Sequence, residues 1–398
     1  MNILEQIRKE LPWLEDKVSY DLTRGKPSSD QLDISQQYLE KINQPYHMDG
    51  VDIRNYGLPE GLPSAKALGA DIMGTSAEET LALDNSSLSL MQQILSCGYF
   101  LGFDKAKLDQ NSKFICPVPG YDRHFKLLEN FGFEMISIPF ADDGPDLQAL
   151  AQVLEQEANA AGIVCVPRHS NPTGHSYSDA NVSGMFNLIA QKKDNFMILW
   201  DNAYACHDLK PTIKQSSANE IAKNCGVWDN LFHLSSTSKI TLAGSGIAFL
   251  SMSSPNINQF IDYRNSVTPG PNKMNQGLHV EYFKTISLEE QMNKLKEVIL
   301  PKFELTEQYL SELQQEGLCE YKSPTGGYFF TFDSTSGKAK EIIDHCEQLG
   351  LKLLPLGSCH PNGIDSANRT IRIAPTFPDL QSLERCMQIF SKVVKYLN

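Results

Sequence analysis

Five short apolar runs, at 114–116, 134–138, 162–166, 196–200 and 231–234, alternate with longer stretches of helical periodicity. That alternation is the pattern of strand–helix–strand units in a mostly parallel sheet. Three of the runs stop at clusters of reactive polar residues. Val166 leads through Pro167 to Asn171-Pro172-Thr173-Gly174, Trp200 meets Asp201-Asn202-Ala203-Tyr204, and Leu234 meets Ser235-Ser236-Thr237-Ser238-Lys239. Open parallel sheets bind ligands at the carboxyl ends of their strands, so these distant segments are expected to share one site.

With 398 residues, 41% of them apolar, the chain can bury a sizeable core and supply two domains. The spacing predicts an α/β domain over 51–285. After it comes a charged helix from Leu288 to about Gln315, interrupted by Pro301, then strands at 328–332 and 370–373 and a final helix from Leu380 to Leu397. Residues 286–398 therefore read as a smaller α+β domain. Residues 1–50, rich in turn formers such as Gly25, Pro27 and Pro45, are expected to pack with it.

A net charge of −13 and a pI near 5.2 oppose attraction to nucleic acid or anionic lipid. The first 17 residues scatter Glu5, Arg8, Lys9, Glu10, Glu15 and Asp16 among apolar ones, unlike a signal peptide. No apolar run approaches the ~20 residues of a membrane span, and a cytoplasmic protein is the expectation. Nine cysteines without a CxxC pair read as reduced, mostly buried thiols and not as disulfides or a metal site. Cys165 and Cys206, beside the motifs, read as packing residues.

The converging motifs bring together an amine, a carboxylate, a phenol and an amide, the set that holds pyridoxal 5′-phosphate. Lys239 can form an imine with the aldehyde and later move a proton, because desolvation lowers a lysine pKa readily. Asp201, at a strand end, can keep the pyridine nitrogen protonated; Asp201-Asn202 reads equally as a simple turn. Tyr204 and Asn171 can bond the ring oxygen. Ser86 and Ser87 precede a helical run at 88–95 and read either as phosphate donors at a helix N-terminus or as plain caps. Ser236 and Ser238 can add hydroxyl contacts. Tyr121 can stack on the ring or sit half-buried in its loop. Arg372 is a candidate for bidentate binding of a substrate carboxylate, or else an exposed strand arginine.

Taken with Asp21-Leu22-Thr23-Arg24-Gly25-Lys26-Pro27, Arg54-Asn55-Tyr56-Gly57, Pro119-Gly120-Tyr121-Asp122-Arg123-His124-Phe125 and Pro271-Asn272-Lys273-Met274-Asn275-Gln276, the chain resembles the class I, fold-type I pyridoxal-phosphate-dependent aminotransferases. Within them it is similar to the bacterial aspartate aminotransferase subgroup related to MocR effector domains. The resemblance implies a seven-stranded-type sheet, a homodimer with composite sites, Tyr56 reaching the neighbour's phosphate, and Gly25, Asn171 and Arg372 at the substrate. It departs at 241–247, where many class I enzymes place a phosphate-binding arginine and this chain has no cation. Lys273 from the partner is the expected replacement. Arg24 is the preferred cation for a second substrate carboxylate, with Arg123 the alternative.

The reaction implied is ping-pong transfer of the amino group of L-aspartate to 2-oxoglutarate. Alternatives keep the cofactor but change specificity (broad or aminoadipate-type) or outcome (β-lyase). A ligand-sensing domain of the regulator type would need a basic DNA-binding domain, for which the chain lacks both length and charge.

Overall fold

The computed structural model describes residues 3–14, 19–104, 106–192 and 195–398. Met1, Glu15, Asp16 and Lys17, which enter the reading of the N-terminus, lie outside the described residues.

One eight-stranded sheet organises the chain between residues 80 and 251. Its strands are β1 (Thr80–Ala82), β2 (Lys113–Val118), β3 (Glu134–Ala141), β4 (Gly144–Pro145), β5 (Ala160–Cys165), β6 (Met197–Asp201), β7 (Leu231–Ser236) and β8 (Ala248–Ser251). They lie in the order β1-β8-β7-β6-β5-β2-β3-β4. Pairing is parallel from β7 through β6, β5 and β2 to β3. Strand β8 runs antiparallel to β7 and β1, and β4 is a two-residue arm folded back on β3. All five apolar runs are strands of this sheet. The short β1 and β8 carry too few residues to stand out in the sequence.

Strands β5, β6 and β7 are buried along their whole length, as a sheet covered on both faces requires. Met197 and Leu199 join the core containing Leu90 and Ile94 of the Ser87–Phe100 helix, while Ile198 and Trp200 join that of Val182 and Phe186 from the Asp179–Lys192 helix. Strand β2 has β3 on one side and β5 on the other. That reversal of strand order opens a crevice at the carboxyl ends.

A separate three-stranded antiparallel sheet joins Cys319–Glu320, Phe330–Ser334 and Thr370–Ile373. Its core includes Phe303, Phe332, Ile371 and Phe390 together with Ile7 and Leu22. Two expectations need correction. The strand expected at 328–332 starts at Phe330, with Tyr328 and Phe329 buried ahead of it. Pro301 does not interrupt its helix, which is continuous from Leu288 to Gln315. An interior proline costs ~3 kcal/mol, but Pro301 lies on the exposed side while Leu295, Ile299, Phe303, Leu310 and Leu313 are buried, each worth about 1.5–3 kcal/mol. The turn-rich first 50 residues also contain two helices, Ile3–Glu10 and Ser29–Leu39, and a strand Tyr20–Asp21 parallel to Leu351–Lys352.

Among the described residues no helix is long and apolar enough to cross a membrane, and no three His, Cys, Asp or Glu side chains converge as a metal site. All nine cysteines are free.

Candidate active site

The inner wall of the crevice forms where β5, β6 and β7 end. Asp201 closes β6 at 2% exposure. Its Oδ2 shares a 2.9 Å hydrogen bond with His124 Nε2, while its Oδ1 is buried with no partner among the described residues. An unmatched carboxylate oxygen is costly to bury, and a protonated pyridine nitrogen is a donor that would match it. The edge of the Tyr121 ring meets His124 with centroids 4.8 Å apart. Burial, with the charge of Asp122 next, raises the Tyr121 phenol to about 12.

Lys239 follows β7 by three residues. Its Nζ lies 5.0 Å from the centre of the Tyr204 ring. Burial lowers the pKa of its ammonium, against the opposing charge of Asp201, which makes the neutral amine easier to reach. The Lys239 carbonyl is near His207 Nε2 at 3.2 Å and accepts from the Tyr328 hydroxyl at 3.4 Å, so the backbone behind the amine is held from two directions. Burial above all raises the Tyr204 phenol well beyond its ordinary value. It stays protonated, a donor for a ring oxygen. Asn171 Oδ1 accepts from Arg372 Nη1 at 3.3 Å, which leaves the amide nitrogen to donate elsewhere.

Arg372 is no exposed strand arginine. It is 5% exposed on the Thr370–Ile373 strand, with its Cζ 4.7 Å from the centre of the Phe329 ring. Gly25 lies against the same ring: a Cβ there would sit 2.0 Å from Phe329 Cζ. The N-terminal segment and Arg372 can approach each other because residue 25 has no side chain.

At the other end of the crevice, Ser86 caps the Ser87–Phe100 helix, its Oγ accepting from Ser89 N at 3.2 Å. The capping role is therefore real, and the helix N-terminus still offers free amides to an anion. Ser87 and Ser236 are buried nearby in sequence motifs that meet here, since Ser238 Oγ donates to the Asn85 carbonyl at 2.8 Å. Gly246 completes the cradle, because a Cβ on it would come within 2.6 Å of Ser238 Oγ and 2.9 Å of the Asn85 oxygen. No cation comes from the loop itself. Its Ser245 and Gly246 carbonyls instead accept from Asn275 Nδ2 at 3.0 and 3.1 Å. The unmatched Asp201 oxygen, the half-buried Lys239 amine and this anion cradle fit pyridoxal phosphate.

Four expected residues lie away from the inner wall. Tyr56 is 80% exposed. Lys273 Nζ donates to the Gly57 carbonyl of its own chain at 2.8 Å, tying down the loop that carries Tyr56. Arg24 is exposed and pairs with Asp21 at 3.3 Å. Arg123 is exposed on a cleft of about 960 Å³ that Ser86, Gly246 and Asn272 also line. Sequence reasoning assigned no role to His124, Asp122, His207 or Tyr328. The position of His124 three residues after Tyr121, one helical turn on, was a signal available for it.

A family model described as aspartate amino-transferase matches residues 10–397. The aspartate aminotransferase of Corynebacterium glutamicum is 35% identical over 393 residues, covering 96% of this chain and 90% of that protein. The crystal structure of an aspartate transaminase from the same species superposes with a TM-score of 0.91 at 34% identity, covering 98% of this chain and 94% of that one. An α-aminoadipate aminotransferase from Thermus thermophilus, solved with N-(5′-phosphopyridoxyl)-L-leucine, shares the fold at a TM-score of 0.79 and 19% identity, covering 100% and 95%. Profile, sequence and fold agree over nearly the whole length: this chain belongs to the aspartate aminotransferase family of pyridoxal-phosphate-dependent enzymes.

Proposed function

We propose that the protein transfers the amino group of L-aspartate to 2-oxoglutarate in two half-reactions, with the inner-wall residues in the roles their chemistry suits. The observation that carries this reading is the unmatched Asp201 Oδ1 together with the half-buried, pKa-lowered Lys239 beyond adjacent strand ends. When bound, pyridoxal phosphate supplies an aldehyde that takes up the substrate's amine and an electron-poor ring that stabilises charge at its α-carbon. Asp201 holds the ring nitrogen protonated, and His124 orients that carboxylate. Tyr204 and Asn171 donate to the ring oxygen, and Tyr121 covers a ring face. Ser86, Ser87, Ser236 and Ser238 bind the phosphate. The Lys239 amine would remove the α-proton and hold it for return. Arg372 receives the α-carboxylate beside Gly25, and Arg24 or Arg123 receives the distal one.

The same reading makes the enzyme a cytoplasmic homodimer. The large domain spans residues 51–285, and the small one 1–50 plus 286–398. An 80% exposed Tyr56, on a loop held by Lys273, suits a residue whose target lies on a second copy, as composite sites at isologous interfaces require.

The test is spectroscopic. Single amino acids are added to the cofactor-loaded protein and its visible absorbance is followed. Aspartate should remove the band and 2-oxoglutarate restore it. Release of pyruvate and ammonia from an amino acid that carries a β leaving group would point to a β-lyase, and equal response to many amino acids would remove the aspartate assignment.

A further inference from the structure

Arg372 already holds a carboxylate. Its Nη1 donates to Asp122 Oδ1 at 3.0 Å and to Asn171 Oδ1 at 3.3 Å, and its Nη2 donates to the Thr23 carbonyl at 3.0 Å. Of the five guanidinium hydrogens, these bonds leave the one on Nε and one on Nη2. The Nε atom is buried with no partner among the described residues. The Nε–H and an Nη2–H lie along one edge of the planar group, the fork that receives a carboxylate through two parallel bonds. So the site combines two uncommitted N–H groups with an acidic side chain already neutralising the charge, the two side chains being 5% and 26% exposed.

We propose that Asp122 is an internal counter-ion of Arg372 that competes electrostatically with the substrate's carboxylate and so sets how tightly carboxylate ligands are held. The inference rests on Arg372 being the α-carboxylate anchor. Two anions sharing one guanidinium repel each other as well as being attracted to it. The orientation of Arg372 does not depend on Asp122 alone, because Asn171, the Thr23 carbonyl and the Phe329 ring also hold it. Removing the Asp122 charge therefore leaves the fork in place and strengthens its pull. The counter-ion also offsets the cost of burying the Arg372 guanidinium. Asp122 is thus a positioning residue that acts through Arg372.

The test uses the cofactor-loaded enzyme and succinate, a dicarboxylate with no amino group to react. Affinity is read from the cofactor's absorbance, and the ligand-induced rise in melting temperature is measured in parallel. Asp122→Asn keeps a hydrogen-bond acceptor and removes the charge. It should bind succinate about tenfold more tightly than wild type, with a larger melting-temperature rise at saturation. Its KM for aspartate should fall further than its kcat changes. Asp122→Ala provides a second variant should Asp122→Asn fold poorly. Unchanged or weaker succinate binding in the Asp122 variants, with binding lost in Arg372→Gln, would overturn the proposal while leaving the anchor intact. Unaltered binding in Arg372→Gln would remove the anchor and the proposal together.

Discussion

The inner wall and the outer rim of the crevice differ in how complete they are within one chain. Asp201, Asn171, Tyr204 and Arg372 are each at most 5% exposed. Most of them are fixed by contacts from other segments: His124 on Asp201, Arg372 on Asn171, and Asp122 and Thr23 on Arg372. On the rim, Tyr56 projects into solvent, Arg24 pairs with its neighbour Asp21, and Lys273 is spent on a loop carbonyl. The wall is held in place by contacts within the chain itself, which is what electrostatic catalysis needs. On the rim, Tyr56 and Arg24 present their side chains to solvent.

That contrast orders the expected effects of substitution. Lys239→Ala should be the most severe, lowering the rate of the aspartate half-reaction by about 10⁴-fold or more in single-turnover absorbance measurements. Loss of less than tenfold would mean that another group moves the proton. Asp201→Asn keeps the shape but removes the charge opposite the ring nitrogen. It should cost about 10²–10³ in kcat with little change in melting temperature, whereas a loss confined to KM would place Asp201 outside the chemistry.

The wall should also impose a pH dependence of stability. Burial holds His207, behind Lys239, down to about 3, and His233 on β7 down to about 4. Both are neutral when folded but take up a proton near pH 6.5 when unfolded. Their contribution is therefore complete above pH ~6.5 and is lost as pH falls toward their folded values. For His233 alone the difference amounts to ~3 kcal/mol between pH 6.5 and 4. Denaturant midpoints should be flat between pH 7 and about 8, below the range in which unfolded thiols ionise, and fall through this window. An equally flat profile down to pH 4 would show that these histidines are not held neutral.

The smallest effects belong to the rim. Lys273→Ala and Tyr56→Phe should each weaken cofactor affinity by no more than about tenfold, the worth of a single hydrogen bond. The Lys273 change should act by freeing the Tyr56 loop. A loss of 10³-fold in either would move phosphate binding from the serine cradle to the rim and erase the contrast.

Much of the wall was legible in the sequence because Asp201 ends a strand and Asn171, Tyr204 and Lys239 follow one. An apolar run of 196–200 stopping at Asp201 marks both the strand and the residue at its tip, and the same holds for Asn171 and Lys239. Arg372 was legible as a candidate, but its burial was not, since a four-residue strand does not reveal which face is covered. The roles of His124 and Asp122 were hidden for another reason. Each acts on a residue 77 or 250 positions away, and nothing local in a helix start announces such a partner. Pro301 misled because its local cost is fixed while the burial that outweighs it depends on what the helix packs against.

The sequence by itself determined the α/β architecture, the family and the chemistry of the cofactor motifs, because strand periodicity and strand-end residues are local properties of the chain. Only the tertiary structure decided that Asp201 keeps one oxygen unmatched, that Arg372 faces Asp122, and that Lys273 grips the Tyr56 loop. These depend on distances between remote segments, and such distances exist only once the packed core has brought the segments together.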